Sequence, residues 1–177
     1  MSGMAATVTY MPLILTAALI HILFPRITAD WQNKKTAQFA RRVRSALDVG
    51  WLWGVGSALV LYFYNKELSI FIFGNDSAAI GIRYLAVSPL LASMRDLTTT
   101  VLWTTDHKRE PFTGMAVGLA CSVLLNYYLV ALPGFQYEGM TIGYLSFEMI
   151  STLWNFAALK KSASENRWSG IRCLLEL

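Results

Sequence analysis

Eighteen consecutive residues, Val8 to Pro25 (VTYMPLILTAALIHILFP), carry no charge. A backbone placed in hydrocarbon must satisfy its own N–H and C=O groups, and a single apolar segment of this length does so only as a helix. At 1.5 Å per residue it reaches roughly 27 Å, close to the ~30 Å hydrocarbon core of a bilayer. Four more apolar blocks follow, at Ala46 to Tyr64, Ala78 to Thr105, Phe112 to Leu132 and Met140 to Leu159. The pattern predicts an all-α polytopic transmembrane helix bundle of about five spans over residues 1–161, with a short tail at 162–177. Charged residues make up 15% of the chain, against about 25% in soluble domains, and no second, soluble domain is visible.

The connecting segments set a direction. Arg26 to Ser45 holds six basic residues and one acid, whereas Asn65 to Ser77 holds a single Lys66 and the loop at 133–139 has no Lys or Arg. Of the fifteen Lys and Arg, twelve fall after the first and third blocks and in the tail. The positive-inside rule then predicts a multi-pass cell-membrane protein with its N-terminus outside and its C-terminus in the cytoplasm. A signal peptide fits the first block poorly, since no basic residue precedes it and no small-residue cleavage site follows. Within the basic segment Trp31, Phe39, Val43 and Leu47 fit either an amphipathic helix on the headgroups or a solvated connector.

The third block has 28 residues, about 42 Å as a straight helix, which predicts tilt, protrusion or a bend near Pro89. Gly-x-x-x-Gly pairs at Gly50 and Gly54, Gly114 and Gly118, and Gly139 and Gly143 mark faces where helix backbones can approach closely. Routine packing and a compact, moving bundle both suit them.

Charge at membrane depth costs roughly 2.5–3.5 kcal/mol per group, so each such group calls for a partner, water or the interface. Asp48 and Arg83 stand near block starts, while Arg95, Asp96 and Glu148 stand deeper. Arg95 and Asp96 are adjacent, about 100° apart on a helix, which argues against a simple pair between them. Arg83, Arg95, Asp96 and Glu148 are the candidates for a substrate cavity, with a structural intramembrane salt bridge as the equal alternative. The two cysteines, Cys121 and Cys173, and the two histidines, His21 and His107, show no ligand spacing, so no metal is expected. No nucleophile with its base and no phosphate-binding loop appears, and neither enzyme activity nor a cofactor is expected. The basic residues alternate with apolar blocks instead of forming one stripe, which excludes nucleic acid as a partner.

The local order of residues resembles the second half of the stage V sporulation protein B family, polysaccharide exporters in the superfamily of lipid II flippases and multidrug and toxin extrusion transporters. Leu23-Phe24-Pro25-Arg26-Ile27-Thr28 resembles that family's Leu-Val-Pro-Ala-Ile-Ser at a helix end. Phe73-Gly74, Ala78-Ala79 and Arg83-Tyr84-Leu85-Ala86 are similar to its Phe-Gly, Ala-Ala and Arg-x-Leu-Ala passage. Thr98-Thr99, Pro111, Gly118, Leu125-Asn126-Tyr127-Tyr128-Leu129-Val130, Pro133-Gly134, Gly139 and Ile142-Gly143 are similar to its later helices. The likeness runs over roughly residues 12–160, departing at Trp103-Thr104 and Met140-Thr141 and ending at the tail.

The resemblance implies a two-lobe flippase of about fourteen helices that passes a polyprenyl-diphosphate-linked glycan, a cell-wall or polysaccharide precursor, across the membrane. Five spans supply part of one lobe, so the chain is expected to be a fragment or truncated homologue. Its expected partners are membrane lipid, the lipid-linked glycan, and a missing lobe or partner membrane helices. The alternatives are part of a drug or cation antiporter of the same superfamily, leaning on Asp96 and Glu148, and a small non-transporting membrane protein that only packs with partner helices.

Overall fold

The computed structural model describes residues 2–131 and 136–164, with side chains placed at 6–131 and 138–162. The predicted tail beyond residue 164 and Pro133-Gly134 lie outside the described residues. Seven helices are described and no strand among these residues: α1 Ser2–Gln32, α2 Thr36–Phe63, α3 Asn65–Phe73, α4 Ala79–Leu85, α5 Ser88–Thr104, α6 Arg109–Val130 and α7 Gln136–Ser164. α5 is central, packed against α1, α2 and α7, while α6 lies along the far side of α7.

Polarity is inverted relative to a soluble domain. Ile14, Leu52, Phe63, Phe112 and Tyr127 are exposed, whereas Thr98, Glu148, Ser151 and Asn155 are buried. Apolar surface outside and small or hydrogen-bonded polar residues between helices is the arrangement that lipid selects. Three helical stretches, Ala6–Gln32, Thr36–Phe63 and Arg109–Val130, are long and apolar enough to cross a membrane. α5 and α7 are not among them. α5 carries Arg95 and Asp96, α7 carries Glu148 and Asn155, and the two helices pack against each other.

The expected end of the first block at Pro25 is corrected, because α1 runs through both Pro12 and Pro25. Proline removes a backbone donor and frees the carbonyl four residues back, here those of Val8 and His21, yet packing against neighbouring helices can carry a helix through it. Trp53 Nε1 of α2 donates to the Pro12 carbonyl at 3.0 Å. Thr28 Oγ1 donates to the Phe24 carbonyl at 2.8 Å. The basic segment is likewise neither a headgroup helix nor a solvated connector. It is the tip of a tight α1–α2 hairpin, with Lys34 at φ 57 in the turn and Phe39 and Val43 buried against Ile27, Val101, Leu102 and Leu159. Asp30, at the end of α1, pairs with Arg42 of α2 at 2.8 Å, in a geometry that leaves its Oδ2 without an aligned donor.

The expected loop after Tyr64 is also corrected, since nine of its residues form α3, closed by Gly74 at φ 71. Only glycine takes that left-handed C-cap freely. The third block is broken, not bent: α4 ends at Leu85 and α5 begins at Ser88. Pro89 in the first turn of α5 explains the place, because its ring excludes the helical carbonyl of Leu85. With seventeen residues, α5 is only about 25 Å long.

The glycine pairs sit at helix crossings. A Cβ on Gly54 would stand 2.8 Å from the Cα of Leu90 in α5, and one on Gly50 would collide with the Leu97 side chain. A Cβ on Gly114 would meet Trp154 at 2.9 Å and one on Gly118 would meet Ser151 Oγ at 2.7 Å, both across the α6–α7 contact. Gly139 and Gly143 meet Leu129 and Asn126 of α6 from the other side.

Candidate functional site

The inward face of α7 carries Tyr144, Glu148, Thr152 and Asn155, one helical turn or slightly less apart, and this spacing sets a polar ladder along one side. α5 answers it with Arg95, Thr98 and Thr99. Asn155 Nδ2 donates to Thr99 Oγ1 at 2.9 Å and reaches Thr98 Oγ1 at 3.3 Å. Thr152 Oγ1 donates to the carbonyl of Glu148 at 2.7 Å and faces that of Leu91 at 3.1 Å.

Above this ladder stands the ionic centre. Arg95 Nη1 donates to Glu148 Oε1 at 2.8 Å, while its Nη2 and Nε donate to Asp96 Oδ1 at 2.9 and 3.1 Å. The guanidinium also lies 5.5 Å from the ring centroid of Phe147. The expectation that Arg95 and Asp96 do not pair is therefore corrected. Their Cα–Cβ vectors diverge, but the long arginine side chain curls round the helix far enough to fork over its neighbour.

Burial is graded across the three groups, with side-chain exposures of 2% for Glu148, 17% for Arg95 and 40% for Asp96. The centre therefore has a closed end and an open end. It contains two acids and one base, a formal charge of −1. Glu148 Oε2 and Asn155 Oδ1 find no aligned donor among the described residues. Beside the centre the Tyr10 and Tyr144 hydroxyls share a 3.0 Å hydrogen bond joining α1 to α7. Tyr144 lies within electrostatic reach of Glu148.

Three of the four sequence candidates thus converge, and Arg83 does not join them. It sits on α4, donating from Nη2 to the Tyr62 hydroxyl at 3.1 Å with its guanidinium 5.0 Å from that ring. Tyr144, Thr152 and Asn155 also belong to the centre, unmarked by the sequence reading, as do Thr98 and Thr99, which the sequence marks only through the family resemblance. The signal was present as the spacing of 144, 148, 152 and 155 within one apolar block. Among the described residues no group of three metal-binding side chains is placed to hold an ion.

No family model matches the chain, and no solved structure matches it. Among curated proteins, it is similar to the stage V sporulation protein B of Bacillus subtilis (strain 168), with 23% identity over 161 residues. That stretch is 91% of this chain and 31% of the relative, so the chain spans about a third of the relative's length. The similarity is distant. Together with the three apolar helices, it is compatible with a membrane transporter.

Proposed function

We propose that the chain is part of a multi-pass transporter that flips a polyprenyl-diphosphate-linked glycan across the cell membrane, in the service of wall or spore-coat polysaccharide. α5 and α7 cross the bilayer beside α1, α2 and α6, giving five spans with the N-terminus outside and the C-terminus in the cytoplasm. The observation that carries the reading is the half-open ionic centre. A charge 40% exposed on a helix in the bundle cannot face lipid, so the surface around Asp96 lines water or meets other protein. The distant similarity to a sporulation protein over nearly the whole chain supports the same assignment.

Arg95 is the basic group through which a diphosphate would be held. It is already neutralised, so the headgroup would have to replace Asp96, the exposed one of its two carboxylates, while Glu148 keeps the guanidinium in place. Forked recognition suits both carboxylate and phosphate oxygens, which makes the exchange chemically reasonable. The surface around Asp96 is completed by a further lobe or by partner membrane helices.

A second reading draws on the charge of the centre. Two acids against one base favour a cation over an anion, as in a drug or cation antiporter of the same superfamily. Deleting the coding region from its host separates the two. The flippase reading predicts that lipid-linked glycan accumulates on the inner leaflet, where an externally added label does not reach it. Unchanged sidedness together with increased sensitivity to cationic drugs would favour the antiporter. Unchanged sidedness and drug sensitivity would leave helix packing as the remaining role.

A further inference from the structure

At the tip of the α1–α2 hairpin a groove of about 780 Å³ opens between α1 and the end of α5. Its size falls within the range of small-ligand pockets, and its two ends differ in character. Along α1 and the turn after it the lining runs from Phe24 through Thr28 and Trp31 to Lys34. From the end of α5 it runs from Trp103, exposed like Phe24, to Lys108.

We infer that this groove binds an anionic phospholipid from the adjacent leaflet, its phosphate between Lys34 and Lys108 and the upper part of its acyl chains along Phe24 and Trp103. The inference rests on α1 and α5 lying in a membrane and is independent of what the chain transports. Four observations carry it. First, the groove lies where the uncharged stretch of α1 gives way to the most basic segment of the chain, which is the depth of the headgroups. Second, the acids in the lining do not cancel the lysines. Asp30 is held by Arg42 at 2.8 Å, and Asp106 faces Lys108 at 3.6 Å with both side chains exposed, a contact that a phosphate can replace.

Third, Lys34 pairs with no carboxylate among the described residues, and it occupies a left-handed turn position at φ 57. Glycine or asparagine fits that conformation more readily. A lysine kept there in spite of its backbone points to a use for its side chain. Fourth, tryptophan together with lysine is the usual composition of a membrane–water boundary, and here Trp31, Trp103, Lys34 and Lys108 line one cavity instead of an open surface.

Native mass spectrometry of the full chain, released from micelles doped with phosphatidylglycerol or with phosphatidylcholine of the same acyl chains, tests the inference. Phosphatidylglycerol should be retained in preference to phosphatidylcholine. Each lysine near the surface contributes about fivefold, so the variant Lys34→Gln/Lys108→Gln should retain phosphatidylglycerol roughly 25-fold more weakly, with Lys66→Gln as the unchanged control. Trp103→Ala should weaken retention of both lipids. Equal retention of the two lipids by the unaltered chain, or equal losses in the double variant and the control, overturns the inference. Displacement of the lipid by an equal concentration of glycerol phosphate also overturns it, because the site would then belong to a soluble phosphate.

Discussion

Removing Arg95 should harm the fold more than removing either of its partners, and the order follows from the graded burial of the ionic centre. In Arg95→Ala, Glu148 stays at 2% exposure with its counter-charge gone, a situation that costs about 3–5 kcal/mol. In Glu148→Ala, Arg95 keeps both bonds to Asp96, so the loss is that of one charged hydrogen bond, about 1.5–3 kcal/mol. Asp96→Ala removes a partner that is 40% exposed, where solvent screening leaves about 0.2–1 kcal/mol. Replacing both buried members, in Arg95→Leu/Glu148→Leu, should cost less than Arg95→Ala alone, because an apolar pair leaves no charge stranded. Reversible unfolding in mixed micelles, with denaturing detergent as the titrant, would measure all four. An Asp96→Ala loss as large as that of Arg95→Ala would refute the reasoning, as would a double variant worse than either single one.

Other consequences can be checked with smaller experiments. Gly54→Ala should destabilise by about 1–3 kcal/mol, since its Cβ would press on the backbone of Leu90; Gly56→Ala, with nothing within 4 Å, should be neutral or slightly stabilising, and equal melting temperatures for the two would remove the close-approach argument. Gly118→Ala should loosen α6 from α7 through its clash with Ser151, read as protease cleavage between the two helices. In a cysteine-free background, Lys34→Cys should react with impermeant thiol reagents only from the cytoplasmic side and Lys66→Cys only from outside. The reverse pattern would invert the proposed orientation.

The sequence foretold the broad outline because bilayer physics acts on windows of twenty residues, and apolar runs of that size are easy to see. It misplaced the ends where a neighbour, not the local residues, decides. Pro25 does not stop α1, because the turn that follows it packs Ile27 into the core against Phe39 and Val43 of α2. Asn65 to Phe73 does not stay a loop, since those residues cap and pack as a short helix. The break before α5 was anticipated through Pro89, though as a bend. Within the centre, Arg95 and Glu148 were visible as charges too deep to stand alone. Their pairing was not, because it joins helices 53 residues apart in the chain. The Arg95–Asp96 contact escapes helical-angle reasoning, which governs Cβ directions, because a guanidinium acts from the end of a long flexible stem. Asn155 and Thr152 look like polar residues among many, and only the facing helix gives them and Thr98-Thr99 a role in the centre.

The separation of the two halves of the centre also bears on how the chain is made. In the proposed five-span arrangement α5 reaches the membrane with Arg95 and Asp96 but without Glu148, which is still to be synthesised 53 residues later. At roughly 5–20 residues per second that interval lasts about three to ten seconds. During it α5 has α1 and α2 to lean on and Asp96 as the counter-charge of Arg95, but not the buried second partner. A variant that truncates α7 would therefore leave the ionic centre with one acid to its one base even though every residue of α5 is intact.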